Sequence, residues 1–159
     1  MHPRAVALTE TLELVPHPEG GHFREVHRSS SFVDPGDHRG ARAALTVIYF
    51  LLVDGEISRL HRVMSDETWH FHEGGVLELI VVEDAGTVRT FGLGPCSEST
   101  GPVHVVPAGA WQAARTTGPF TLVSCSVGPG FEFDDFEMMR DRPEASELRR
   151  RRPELAAWI

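Results

Sequence analysis

Cysteines and long apolar runs are scarce in this sequence of 159 residues, and each absence excludes a class of protein. The two cysteines, Cys96 and Cys125, lie far apart without paired spacing, which argues against a disulfide framework or a zinc ribbon and favours a reducing compartment. No apolar run approaches the roughly 20 residues that a membrane-spanning helix needs. No basic segment followed by an apolar run opens the chain. These absences predict a cytoplasmic protein without a membrane partner.

Positive charge is also in short supply. The chain has 15 Lys and Arg residues against 23 Asp and Glu residues, for a formal net charge of -8. Such a chain exerts no long-range attraction on phosphate backbones, so nucleic acid is not expected as a partner. The arginine run at residues 149–152 is interpreted as the solvated end of a helix.

What the sequence does contain is a series of short strand-like segments separated by turn residues. They recur about every ten residues, and helix-like segments occur only at the two ends, a pattern typical of an all-β sandwich or barrel. A chain of this length forms one domain that buries roughly 70% of its unfolded surface. We divide it into an N-terminal arm with the first strand (1–30), a β core (43–136) and a C-terminal helix (144–159).

Local patterns give five further expectations. The continuous apolar run at residues 43–53 predicts a central strand, and residues 83–86 predict a turn. Alternation after Gly21 places Phe23, Glu25 and His27 on one strand face and Arg28 on the other. Residues 31–42 read as a surface loop. The aromatic and acidic run at 131–136 predicts a closing strand with Asp134 and Asp135 in solvent.

Two ordered strings of residues resemble the paired motifs of the cupin superfamily. The first contains Gly55, His61, Glu67 and Gly74, and the second contains Gly101, Pro107, Gly109 and Gln112. The match is one of spacing and has three departures. Val63 stands where the pattern has a second histidine, Gln112 where it has the last histidine, and Thr116 where it has an asparagine.

The wider sequence is similar to the fifth cupin family, through residues 14–25, 58–74, 106–113 and 128–136. This resemblance implies a jelly-roll barrel (a double-stranded β-helix) with a small-molecule cavity in its mouth, a homodimer, and a likeness to sugar-nucleotide epimerases. It implies no particular reaction, because a fold does not fix function.

Cupin metal sites combine histidines with a carboxylate, and this chain offers two such sets for a zinc, iron, manganese or nickel ion. The motif register gives His61, Glu67 and Gln112, of which the amide is a poor ligand. A second set, His70, His72 and Glu78, requires a β-bulge that turns the histidines inward. The alternative for His70 and His72 is an inert place on an outer face or interface.

Acid–base chemistry without a metal is the other possibility. His61 and Glu67 are the predicted catalytic pair, with Tyr49 as a second acid, and a buried Glu67 beside Trp69 has the raised pKa that proton transfer needs. The alternative for Glu67 is an ion pair with Arg59 or Arg62. Four further side chains are predicted to bind substrate, although Gln112 alternatively belongs to a packed core; they are Gln112, Trp69, Arg28 and Glu19.

The N-terminal motif leaves two interpretations open. Glu19 and Arg28 reach the barrel mouth and hold an anionic group, or the prolines and glycines of this motif only shape a covering arm. We favour the second interpretation for His17.

Three functions follow from these residues. The first is an isomerase, epimerase or dehydratase that acts on a sugar-like or nucleotide-like substrate. The second is a cupin without metal that binds a ligand and does not convert it, as Val63 and Gln112 suggest. The third is a metal-dependent oxygenase or decarboxylase built on His70, His72 and Glu78.

Overall fold

The computed structural model describes residues 1–83 and 87–159, which form mainly β-strands. The strands in these residues are β1 (Val15–Pro16), β2 (His22–Arg28), β3 (Phe32–Val33), β4 (Arg42–Ala43), β5 (Thr46–Val53), β6 (Ile57–Val63), β7 (Asp66–Gly74), β8 (Leu77–Val82), β9 (Val88–Leu93), β10 (Thr100–Gly101), β11 (Val103–Val106), β12 (Trp111–Thr116), β13 (Phe120–Gly128) and β14 (Phe136–Met138). The α-helices are α1 (Pro3–Thr11) and α2 (Ala145–Arg151), and 3-10 helices occupy Phe133–Asp135, Met139–Asp141 and Pro153–Trp158. Among these helices, none is both long and apolar enough to cross a membrane.

Two six-stranded sheets face each other as a sandwich, which is the all-β cupin architecture that the sequence predicts. The first has the order β1-β2-β5-β13-β7-β11 and the second the order β10-β9-β8-β12-β6-β14, while β3 and β4 form a small separate ribbon. Side chains from both sheets share the central core, including Phe50 and Trp69 from the first and Leu79 and Ala114 from the second. Burial of these apolar side chains drives the sheets together.

The outer face of each sheet is covered by one end of the chain. Leu8 of α1 packs with Leu51 and Leu122 on the first sheet. Strand β5 is therefore buried on both faces, which explains its continuous apolar run and confirms the predicted central strand. On the second sheet the C-terminal helices cover a separate cluster that contains Leu60 and Trp158.

Three local predictions are wrong. The closing strand predicted at 131–136 is instead a 3-10 helix, Phe133–Asp135, that leads into β14. A β-bulge shifts the register between Glu25 and His27, so Arg28 shares the interior face with Glu25 instead of lying opposite it. Asp135 is only 3% exposed, because Arg42 binds both of its carboxylate oxygens at 2.8 and 2.9 Å. The turn predicted at residues 83–86 lies largely outside the described residues.

Candidate functional site

A cavity of about 90 Å³ lies between the two sheets and is lined by residues from both. Its interior end holds nearly inaccessible polar side chains, since His61 is 2% exposed and Glu67 is 7% exposed. Its other end reaches solvent at Arg28, Glu132 and Phe133, and we call this end the mouth. The site therefore combines a secluded polar floor with an open, charged entrance.

The chain segment between α1 and β2 carries His17 and Glu19 into the cavity, and we call it the arm. Two prolines hold its backbone extended on either side of His17, and a turn with positive φ follows. That turn requires glycine, since a Cβ at Gly20 would lie 2.1 Å from the carbonyl oxygen of Ile57. The amide of Arg59 donates to the carbonyl of Glu19 at 2.9 Å, which fixes the arm against β6.

A β-bulge in β6 directs a second group of side chains at the arm. Gln112 of β12 pairs with His61, whereas Ala114 pairs with Ser58, so β6 has one residue more than its partner over this stretch. Ser58 and His61 are three residues apart and would point to opposite faces of a regular strand. The extra residue of the bulge turns both side chains toward the cavity. The hydroxyl of Ser58 accordingly donates to Oε1 of Glu19 at 2.7 Å.

Glu19 and His61 form a buried pair of proton-exchanging groups. Oε2 of Glu19 lies 3.3 Å from Nε2 of His61 and 3.4 Å from Nδ1 of His17. Nδ1 of His61 lies 2.7 Å from the carbonyl oxygen of Arg59, which can only accept. Nδ1 therefore carries the proton in the neutral ring, and the lone pair of Nε2 points at the carboxyl group.

Burial sets the protonation of this pair. Desolvation raises the pKa of Glu19 to about 7, against the opposing effects of His17 and of the Ser58 hydrogen bond. Desolvation also lowers the pKa of His61 and of His17. Near neutral pH, Glu19 exchanges its proton while both imidazoles are neutral, so this part of the site contains a weak acid next to a weak base.

Glu67 is held on the cavity floor by a chain of hydrogen bonds. Its carboxylate accepts from the amide of Gln112 at 2.5 Å, and the amide oxygen of Gln112 accepts from the indole of Trp69 at 2.9 Å. Burial raises the pKa of Glu67, although the nearby His61 lowers it in part. Burial also raises the pKa of the Cys125 thiol, which donates to Glu67 and stays protonated. Burial thus makes both Glu67 and Glu19 weaker acids than exposed carboxyl groups.

The mouth combines one arginine with two carboxylates. Arg28 donates through Nε and Nη2 to Glu25 at 3.0 and 2.8 Å and through Nη1 to Glu132 at 2.6 Å. Its Nη2 also donates to the carbonyl of Phe131 at 3.1 Å. The guanidinium therefore joins β2 to the segment that follows β13.

Aromatic rings surround this entrance. The centroid of Phe133 lies 5.1 Å from that of Phe131 and 6.2 Å from that of Phe136, in edge-to-face geometry. His17 contacts the edge of Phe23 at 4.6 Å and stacks on Phe133 at 6.2 Å. A ligand that enters must pass these rings before it reaches Glu19 and His61.

Comparison with known proteins identifies the family. The family model described as Cupin superfamily (DUF985) matches residues 7–139, which is most of the chain. The chain belongs to this cupin family. An uncharacterized protein of Saccharomyces cerevisiae, YML079W, is 29% identical over 153 residues, which span 86% of this chain and 75% of that protein.

Solved structures agree with this assignment. A hypothetical protein from Leishmania major superposes with a TM-score of 0.82 at 34% identity, over 97% of this chain and 96% of its own. A protein from Shewanella oneidensis superposes with a TM-score of 0.79 at 36% identity, over 89% and 86%. An oxalate decarboxylase from Bacillus subtilis matches 91% of this chain and 36% of its own, with a TM-score of 0.61 at 15% identity. This last similarity shows a shared fold only.

The motif positions of this cupin do not fit a divalent metal ion. Val63 offers no donor atom, and both ends of the Gln112 amide are engaged, by Trp69 and by Glu67. In the two described ranges, no three His, Cys, Asp or Glu side chains are grouped in a way that could hold a metal. The set of His61, Glu67 and Gln112 thus lacks the free donors that zinc, iron, manganese or nickel require.

The second predicted metal set is dispersed over two outer faces. A bulge is present in β7, where His72 has no partner opposite it in β13, but it leaves His72 on the outer face, where Nε2 lies 2.9 Å from the Ser124 hydroxyl. Glu78 lies on the other sheet and forms an ion pair with Arg115. His70, between the inward-facing Trp69 and Phe71, also points outward. The structure therefore does not bring His70, His72 and Glu78 together.

Tyr49 is likewise separated from His61 and Glu67. It packs on the α1 side of β5 with Leu12 and contacts the ring of His72 at 6.0 Å. The continuous apolar run of β5 gave no indication of which face is interior. Neither of the two arginines considered as ion-pair partners of Glu67 binds it among the described residues. Arg62 pairs with Glu137, and Arg59 donates to the backbone carbonyl of Glu19.

The structure adds cavity residues that the sequence interpretation missed. His17 lines the cavity, contrary to the interpretation that it serves only to shape the arm, and Glu25, Cys125 and Glu132 line it as well. A histidine between two prolines, held extended and followed by a glycine turn, was the available signal for His17. Glu132 and Cys125 carried no comparable signal.

Proposed function

We propose that this cupin is an acid–base enzyme of the isomerase, epimerase or dehydratase class that acts on a small polar, sugar-like molecule. The observation that carries the proposal is the buried Glu19–His61 pair, with its 3.3 Å separation and the raised pKa of Glu19. Groups poised to exchange a proton near neutral pH in a secluded cavity are what general acid–base catalysis requires.

The roles follow from the protonation states. The ionised carboxylate of Glu19 removes a proton from a carbon next to a carbonyl group, and the lone pair of Nε2 of His61, 3.3 Å away, shares that proton. The electron pair of that C–H bond moves to the carbonyl oxygen, which takes a proton from the protonated Glu67. Return of that proton to the former carbonyl carbon, while the hydroxyl on the deprotonated carbon gives its proton to Glu67, yields the isomer and restores the three groups. Gln112 and Trp69 act as positioning residues for Glu67.

The size of the cavity limits the substrate. Its volume of about 90 Å³ is well below the roughly 300–1,000 Å³ of sites that enclose drug-sized ligands. A whole sugar nucleotide cannot be enclosed there, so the reacting part is a small polar group and any larger portion lies beyond the mouth.

A cupin that binds this ligand without converting it is the second candidate. The engaged amide of Gln112 and the apolar Val63 favour it, because they replace the two histidines of the cupin motif. In that case Glu19 and His61 serve only to hydrogen-bond the ligand.

Hydrogen–deuterium exchange at carbon separates the two candidates. The protein is incubated in heavy water with a panel of small aldehydes, ketones and aldoses, and loss of C–H signals is followed by NMR. We expect exchange with at least one compound, and a loss of 100-fold or more in Glu19→Gln and in His61→Asn. Glu78→Gln, which alters a carboxylate on the outer face, is the matched control and should keep full activity.

Two results would contradict the proposal. One is tight binding of a panel compound with no exchange and no conversion, which supports the binding candidate. The other is full activity in folded Glu19→Gln and His61→Asn proteins.

A further inference from the structure

The charges at the mouth do not balance. Glu25 and Glu132 are both paired with a single cation, Arg28, which leaves one negative charge in excess. Among the described residues that line the cavity, Arg28 is the only lysine or arginine. An arriving anion would therefore meet a net negative entrance, where repulsion by the carboxylates of Glu25 and Glu132 would offset its attraction to Arg28.

Arg28 is also not available to grip a new anion. Its Nε and Nη2 fork onto Glu25, its Nη1 binds Glu132, and its Nη2 reaches the carbonyl of Phe131. A phosphate or carboxylate would have to displace these partners before it could bind the guanidinium in a bidentate manner. These contacts indicate that Arg28 joins the segments around the mouth and does not serve as a receptor for an anion.

The aromatic rings of the mouth are suited to a positively charged ligand. Phe131, Phe133 and Phe136 have centroids 5.1 to 6.2 Å apart and lie nearly at right angles, so their faces point in different directions. Phe133 is 55% exposed at the entrance, so its ring is accessible to a ligand that binds there. Ring faces attract ammonium groups within about 6 Å of the centroid.

We propose that the mouth binds the cationic end of a small organic amine, either a primary ammonium or a quaternary ammonium group. The ammonium lies against the phenylalanine rings and neutralises the excess charge of Glu25 and Glu132. That this amine is also the substrate, with its reacting carbon near Glu19 and His61, rests on the proposed function. The binding preference itself does not.

Matched ligands test the charge preference directly. Isotope-labelled protein is titrated, with NMR detection, with choline and with its uncharged isostere, in which carbon replaces the ammonium nitrogen. Ethanolamine, ethylene glycol and glycolate form a second series of similar size with charges of opposite sign or none. We expect choline to bind about tenfold more tightly than its isostere, and glycolate to bind most weakly.

Charge variants at the mouth sharpen the test. Glu132→Gln should weaken choline binding about fivefold, Glu25→Gln should act in the same direction, and Arg28→Gln should strengthen it, since it removes the opposing cation. Arg24→Gln is the control on the same strand, because Arg24 pairs with Glu13 away from the cavity. A thermal melt of each variant establishes that it is folded.

Equal binding of choline and its isostere would overturn the proposal. So would tighter binding of glycolate that is lost in Arg28→Gln, which would make the mouth an anion site. The two proposals fail separately. Selective choline binding with no exchange at carbon in the panel of carbonyl compounds refutes only the proposed function, whereas exchange in that panel with equal binding of choline and its isostere refutes only the amine preference.

Discussion

At the scale of single residues, the environment of Glu19 opposes its ionisation. Its pKa rises from 4.5 to about 7 on folding, so between these pH values the native protein holds more protons than the unfolded chain. The contribution of Glu19 to stability therefore falls as pH rises through this window and is constant above it. His61 and His17 have lowered pKa values, so their contributions rise with pH up to about the unfolded value of 6.5.

Removing the Glu19 carboxyl group should make this dependence visible. The wild type should lose stability relative to Glu19→Gln as the pH rises. Between pH 5 and pH 8, its free energy of unfolding should fall by about 2–3 kcal/mol relative to that of the variant. Urea unfolding at intervals of one pH unit measures this difference. A difference that stays constant with pH would show that Glu19 titrates alike in the folded and unfolded chain.

At the scale of the elements, the strands follow the sequence pattern except where they bulge. Alternation and apolar runs predicted most strands, because burial of one or both faces determines which residue types a strand carries. The bulges in β2 and β6 broke that rule and reversed the faces of Arg28 and Ser58. A bulge inserts a residue without requiring any particular side chain, so it cannot be recognised from the residue types alone.

The candidate site was predictable to the extent that its residues share a motif. The cupin spacing brought His61, Glu67 and Gln112 to attention, and the structure places them within one region. The role of Gln112 needed coordinates, since only they show its amide bonded at both ends. Glu19 was foreseen as a mouth residue, yet its contact with His61 depends on a long-range approach of the arm to β6 that no local pattern encodes.

The segment that carries the phenylalanines is anchored by Asp135, a 3% exposed carboxylate bound to Arg42 and close to Arg39. Asp135→Asn removes the carboxylate that binds the half-buried Arg42 through both oxygens, while Arg39 keeps its pairing with Asp37, and it should lower the free energy of unfolding by about 1–3 kcal/mol. Hydrogen exchange should accelerate in residues 31–44 and 131–138 and remain slow in β5 and β13. Asp134→Asn, at an exposed neighbouring position, is the control and should change neither quantity. Unaltered exchange in Asp135→Asn would mean that other contacts hold this segment.

At the scale of the whole molecule, the apolar cluster between the sheets borders the cavity, whereas the cluster under the C-terminal helices does not. The cluster that contains Trp158 lies on the outer face of the second sheet, opposite the cavity, and Arg115 stacks on the indole at 5.2 Å. Trp158→Ala should lower the free energy of unfolding by about 3–5 kcal/mol. Choline affinity at the mouth should be unchanged, as measured by the same NMR titration on the folded variant. A parallel loss of affinity would show that the two faces are coupled.

The arm gives this architecture a consequence for the order of events during folding. His17 and Glu19 come from the beginning of the chain, His61 from its middle and Phe136 from near its end. The cavity lies between the two sheets and its lining comes from distant parts of the chain, so it is complete only when the sheets have paired and the arm has docked on β6. In a folding intermediate with both sheets paired but the arm undocked, His61 lacks its contact with Glu19. Under the proposed function such an intermediate is inactive, so activity during refolding would report docking of the arm.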